Sequence, residues 1–303
     1  MLPFLHELII DENGTFARWV PNLNIQASLL DDNGKILGFS TYRVFLYYFF
    51  AETTALIAWV GWFIVAKNKP YRNAILLCIL SVGYHLFLIL SANRKTDLNN
   101  FEFKLGATAF IAALLFGVFL YTSVKKRKLL LAAYTTFGSP PKRIITGKVV
   151  LGWLALIGVS TLIYFHDIVT LPRIGLKEWV PNLGIEETLT VGAKNVWGFT
   201  SYRAFLLTLC LQIFAHVGWA GWLLDASYKL YRPFILVPLG LGFHQLTITF
   251  FDKADSIMNL PDIKLLILLL LGVLVGILFF FNNKGLSKVN INPQNKPIKH
   301  NPE

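Results

Sequence analysis

The sequence predicts an all-α integral membrane protein with seven transmembrane helices, arranged as two parallel three-helix pseudo-repeats joined by a linking helix (3+1+3). Three observations carry this. The chain is 55% hydrophobic and only 15% charged, against roughly 25% charged in a typical soluble domain, and its mean hydropathy is +0.56. Seven apolar stretches approach the roughly 20 residues needed to cross a bilayer. Multi-residue matches recur through the chain at a fixed offset of 160 residues.

The elements follow in order. The opening MLPFLHELII is too short to span, and it lacks the basic start and small-residue cleavage site of a signal peptide, so it reads as an extramembrane or interfacial segment. The expected spans are Val44 to Ala66, Ala74 to Ala92, Leu105 to Val124, Val149 to Phe165, Ala204 to Leu224, Phe234 to Phe251 and Leu265 to Phe281. The fourth and sixth are short, which suits a tilted helix or one with a shallow end. The final segment, GLSKVNINPQNKPIKHNPE, is polar and reads as a disordered tail.

Orientation comes from the loops. With the N-terminus outside, the inner segments are KNKPYR, the linker containing KKRK and PPKR, DASYKLYR and the tail. They hold 16 of the 28 Lys and Arg residues and only two acids, whereas the outer segments hold 12 basic residues and 14 acids. The C-terminus is then cytoplasmic, and the basic excess faces the anionic lipids of the inner leaflet of the cell membrane. This placement accounts for the net charge of +11 without a nucleic-acid partner. Arg43, Lys104, Arg203 and Lys264 fall at outer helix ends, where long cationic side chains are expected to snorkel to the interface.

The duplication sets the organisation. Trp19-Val20-Pro21-Asn22-Leu23 returns as Trp179-Val180-Pro181-Asn182-Leu183, and Gly38-Phe39-Ser40-Thr41-Tyr42-Arg43 returns as Gly198-Phe199-Thr200-Ser201-Tyr202-Arg203. Trp59-x-Gly61-Trp62 returns as Trp219-x-Gly221-Trp222, Tyr71-Arg72 as Tyr231-Arg232, His6-Glu7 as His166-Asp167, and Lys104 as Lys264. His85 matches His244 after a slip of one residue. Three helices per copy is odd, so a linking helix is needed to keep the copies parallel about an axis along the membrane normal. The units are residues 1–124, repeat 1; 125–165, a cytoplasmic basic linker with the linking helix; 166–283, repeat 2; and 284–303, the tail.

Each shared motif has a structural reading beside its functional one. WVPNL reads as an outer loop that rests on the membrane, with Trp at headgroup depth and Pro forcing an extended turn. Its functional counterpart is a platform for a substrate or partner. The hydroxyls of Ser40, Thr41, Thr200 and Ser201 suit helix caps. Arg43 and Arg203 then anchor at the interface or clamp one anion between them. Gly between two Trp suits close helix packing. His6, Glu7, His166, Asp167, His85 and His244 place a His–acid pair and a membrane His in each copy near the outer surface. Such groups suit hydrogen bonding, ligand binding, proton transfer or a zinc, copper or iron site, although no HxxxH or HExxH motif accompanies them.

Two positions break the symmetry. Glu52 falls near mid-membrane, where an acid is costly and marks function by default; its counterpart is Gln212. His216 lies one turn below Gln212 on the same helix face. If the two helices meet across the axis, Glu52, Gln212 and His216 form one polar cluster. The structural alternative has Glu52 bonded to Thr53, Thr54 or a backbone carbonyl.

No Walker loop, dinucleotide glycine pattern or GxSxG is present, and Cys78 and Cys210 lie in separate apolar runs, so the sequence points to no nucleotide, cofactor or disulfide framework. The leading expectation is ATP-independent passage of a small solute or ion along the axis. One alternative is a membrane-embedded enzyme or redox subunit with an outward-facing His/acid site. Another is a non-catalytic subunit of an envelope complex, seated in the lipid bilayer, that meets envelope partners through WVPNL and the GFSTYR and GFTSYR segments or pairs with further copies of itself.

Overall fold

The computed structural model describes residues 42–67, 69–90, 101–137, 146–170, 190–191, 195–196, 202–227, 229–251 and 261–289, together with the backbone of residue 9. Both WVPNL motifs, His6, Glu7 and residues 290–303 lie outside the described residues.

The described chain is helical apart from one antiparallel pairing, Thr190 with Val196 and Val191 with Asn195. In chain order the helices are α1 (Tyr42–Val65), α2 (Arg72–Leu90), α3 (Phe101–Phe137), α4 (Gly147–Leu162), the single turn α5 (Phe165–Val169), α6 (Tyr202–Asp225), α7 (Arg232–Phe251) and α8 (Pro261–Val289). The 24 residues of α1 reach about 36 Å at 1.5 Å per residue, enough to cross the hydrocarbon core. Five helices are long and apolar enough to span: α1, α2, the Phe101–Lys128 part of α3, α6, and the Ile263–Phe280 part of α8. The chain is therefore a multi-pass membrane protein.

Each of the seven expected apolar stretches coincides with a helix, with differences that have physical causes. The fourth helix stops at Leu162, after 16 residues, and a tight turn at Ile163–Tyr164 sends the chain into α5. In α7, Pro238 sits inside the helix, and His244 and Gln245 dilute its apolar content. The third helix continues to Phe137 through Lys125-Lys126-Arg127-Lys128, because Lys and Arg are good helix formers. Likewise α8 runs to Val289, past the expected start of the tail.

At the centre, α1 packs along α6. Here residues related by the 160-residue offset touch one another. Tyr48 Oη lies 3.1 Å from Thr208 Oγ1, and a Cβ on Gly218 would stand 3.0 Å from the Ala58 Cβ. Equivalent residues meeting at levels about 15 Å apart require the two helices to run in the same direction. Near the lower end the contact is reciprocal: a Cβ on Gly61 would overlap the Trp222 ring, and a Cβ on Gly221 would overlap the Trp62 ring. Each glycine is thus the floor on which the other copy's indole lies.

Around this pair, α2 packs on α1, α3 and α4, while α7 packs on α6 and α8. The main core gathers Ala55, Trp59, Ile75, Cys78, Val82, Trp153 and Phe214. Apolar side chains on α3 and α8, such as Phe110, Leu269 and Leu270, are exposed, as expected where lipid rather than water is the solvent.

Candidate intramembrane site

The most buried polar group in α1 is Glu52, with no exposed surface. Its neighbours Thr53 and Thr54 do not hold it. Their hydroxyls donate to the Phe49 and Phe50 carbonyls, 2.7 Å each, within their own helix. Glu52 instead reaches across to α2 and pairs through Oε1 with Nδ1 of the buried His85. Glu52 Oε2 has no hydrogen-bond partner among the described residues. Low-dielectric surroundings strengthen a hydrogen bond between a carboxyl group and an imidazole in direct contact.

Above this pair the buried polar groups continue. The Tyr164 ring meets His85 edge-on, with centroids 6.3 Å apart, and its hydroxyl donates to the Ser81 carbonyl at 3.3 Å. Two residues on, α5 presents His166 and Asp167, both buried. Asp167 accepts from Lys104 Nζ at 2.9 Å and from Arg203, and it lies 3.3 Å from His166 Nε2. The His166 Nδ1 faces the Ile163 carbonyl at 2.9 Å.

Charge balance explains the protonation states. Burial pushes the His166 imidazole down to about 3; Asp167 opposes the shift, while His85, Arg203 and Lys104 add to it. Burial alone would raise the Asp167 carboxyl, but His166, Lys104 and Arg203 outweigh it and hold it below the usual carboxylate range. Lys104 and Arg203, both in contact with Asp167, favour its ionised form. Removing one partner from such a buried pair costs about 3–5 kcal/mol, because the other charge is left stranded.

Lys104 corrects an expectation. It was expected to snorkel, yet only 3% of it is exposed, and Lys264 is 6% exposed. A nearby carboxylate offers the ammonium a closer counter-charge than the interface does. Its recurrence as Lys264 in the repeat was the signal that it is more than an anchor. Arg203 likewise serves Asp167, while Arg43 is exposed in the first turn of α1.

The second group of polar residues lies between α1, α6 and α7. A cavity of about 60 Å³ there is lined by Tyr47, Thr54, Gln212, His216, Trp219 and Gln245 among others, room for a few water-sized molecules. Gln212 Nε2 donates to Tyr47 Oη at 3.0 Å, and His216 Nδ1 lies 2.6 Å from the Gln212 carbonyl. Gln212 Oε1 and His216 Nε2 are buried without a partner among the described residues. Glu52 pairs with His85 and does not line this cavity, so the expected cluster of Glu52, Gln212 and His216 is divided between two places. His244 is half-buried on α7. Among the described residues no group of three or more His, Cys, Asp or Glu is arranged to hold a metal ion.

Comparison with known protein families, with curated proteins and with solved structures finds no match to this chain.

Proposed function

We propose that this multi-pass protein moves a proton or another small ion across the membrane without ATP, and that Glu52 and His85 form its exchange site. The observation that carries the reading is the wholly buried Glu52 bound to a histidine of another helix. An intramembrane acid is expensive, and in membrane proteins such groups mark ion and proton pathways. Two features support it. The polar groups Tyr164, His166, Asp167 and Lys104 extend from the pair towards the partly exposed Arg203. The cavity beside Gln212 and His216 has room for a few water-sized molecules among polar groups set in a mostly apolar lining.

In this reading the chain has seven spanning helices in the 3+1+3 plan, with α4 and α7 as the two shorter spans, an outer N-terminus and a cytoplasmic C-terminus. The common direction of α1 and α6 supports parallel copies. Arg43, Arg203, His6, Glu7, His166, Asp167, His85 and His244 then belong to the outer entrance.

Reconstitution tests it. In vesicles loaded with a pH-sensitive dye, an imposed potential should drive proton entry through the parent protein. Glu52→Gln keeps the size and hydrogen-bonding capacity of the side chain but removes its proton, so it should insert normally and lose most of that flux. Equal flux in parent and variant would sink the role given to Glu52.

A further inference from the structure

At the lower end of α6, Asp225 closes a set of donors supplied by the other copy. Trp62 Nε1 donates to Oδ2 at 2.7 Å, Tyr71 Oη donates to the carboxylate at 2.8 and 3.0 Å, and Lys69 Nζ lies 3.5 Å away. Burial, and then the Asp225 carboxylate, push the Tyr71 phenol upward, so that it stays a donor. The 160-residue offset supplies the same donors a second time, as Trp222, Tyr231 and Lys229. The arrangement of the two rings repeats as well. The Trp62 and Tyr71 centroids are 6.0 Å apart and tilted 56°, while those of Trp222 and Tyr231 are 6.1 Å apart and tilted 62°. The acceptor does not repeat. The counterpart of Asp225 is Val65, which packs in one cluster with Trp222. Trp222 Nε1 is buried with no hydrogen-bond partner among the described residues.

A buried N–H without an acceptor is costly, and the chain itself shows what this donor set holds: an oxyanion. We propose that Trp222, Tyr231 and Lys229 form an oxyanion-binding site for a phosphate group that takes the place of the missing carboxylate. Lys229 is exposed and would supply the charge, Tyr231 Oη and the indole N–H would supply directed hydrogen bonds, and binding requires Val65, which packs in one cluster with Trp222, to give way at the buried N–H. The phosphate is that of an anionic lipid headgroup or of free phosphate; both offer the same oxygens. Leu224 and Leu230 beside the site are 71% and 52% exposed, an apolar flank suited to acyl chains. The proposal is independent of any role for Glu52.

The experiment titrates purified protein with dioctanoyl phosphatidylglycerol and, separately, with inorganic phosphate, following tryptophan fluorescence. The parent should saturate. Val65→Asp places an internal carboxylate where the symmetry calls for one, and it should weaken binding at least ten-fold while raising the thermal midpoint. Trp222→Phe, which keeps a ring on Gly61 but removes the N–H, should also weaken binding. Saturation by the lipid alone assigns the site to a headgroup, and saturation by both assigns it to phosphate as such. No saturation in the parent, or unchanged affinity in both variants, overturns the proposal.

Discussion

His166 sets two oxygens against one buried ring. The Ile163 carbonyl and the Asp167 carboxylate both face its nitrogens, so contact geometry suits the charged form, while burial opposes it and wins. Its value in the folded protein, about 3, lies below the ordinary 6.5. The unfolded chain therefore binds more protons between these values, and stability rises with pH across that window. The stabilising contribution is complete above pH 6.5 and is lost as the pH falls towards 3. Asp167, also depressed, acts in the same direction at the acid end, because its contribution is lost as the pH falls through its lowered folded value. The thermal midpoint of the solubilised protein should thus fall on acidification from 6.5 to 4. His166→Gln, which cannot titrate, should flatten that slope. A variant with the parent's slope would assign the acid sensitivity to another group.

Among the described helices, the most extensive contact is between α1 and α6, and at its lower end it rests on two glycines. Gly61 and Gly221 lack the Cβ that would strike the opposite indole. Neither indole has room to retreat, since Trp62 stacks on Trp59 and Trp222 on Trp219, each pair with centroids 5.3 Å apart. Gly221→Val should therefore destabilise the protein by about 2 kcal/mol, in the range of overpacked cores, seen as a lower thermal midpoint in detergent. Gly83, which has no atom within 4 Å of its Cβ position, serves as the control, and Gly83→Ala should change little. If both substitutions behave alike, the glycine floor is not what sets the helix spacing. The Trp-x-Gly-Trp repeat made this packing legible, because small and bulky residues alternating at a helix interface have few other uses. The continuation of α3 through Lys125-Lys126-Arg127-Lys128 was not legible, because a basic run reads equally as a loop or as the solvated end of a helix. The break after Leu162 was also hidden. Nothing in the apolar run of α4 marks it, and it follows from the burial of Tyr164, His166 and Asp167 by neighbours distant in sequence.

On the scale of the molecule, the proposed N-outside orientation predicts a labelling pattern. With Cys78 and Cys210 replaced, single cysteines at Asn33 and Asn195 should react with an impermeant thiol reagent on intact cells, and one at Ser139 should not. Labelling of Ser139 with Asn33 silent would invert the orientation. The helical membrane character was legible from hydropathy alone: every expected apolar run falls on a described helix, and five of those helices are long and apolar enough to span. The site was legible residue by residue but not in its pairings. Glu52, His85, His166, Asp167 and Arg203 each stood out by charge or by repetition. Which of them meet depends on helix rotation, and an apolar helix facing lipid on one side and protein on the other leaves little periodicity to fix it. The pairing of Glu52 with His85 rather than with Gln212 is a matter of that rotation.

The Asp225 contact bears on why the two copies share one chain. In a dimer of identical subunits, any substitution arises on both sides of the axis at once. A carboxylate at the Asp225 position would then fill both sockets, and an acid at the Glu52 position would bury two charges in the bilayer. Within one chain that compulsion is absent: at the 160-residue offset Asp225 corresponds to Val65, and Glu52 corresponds to Gln212. Expressed as two separate pieces cut between the repeats, the halves should still find one another through the Gly–Trp contacts, and mixed pairs should prevail over like pairs, because only the mixed pair brings Asp225 to Trp62 and Tyr71 without a second acid.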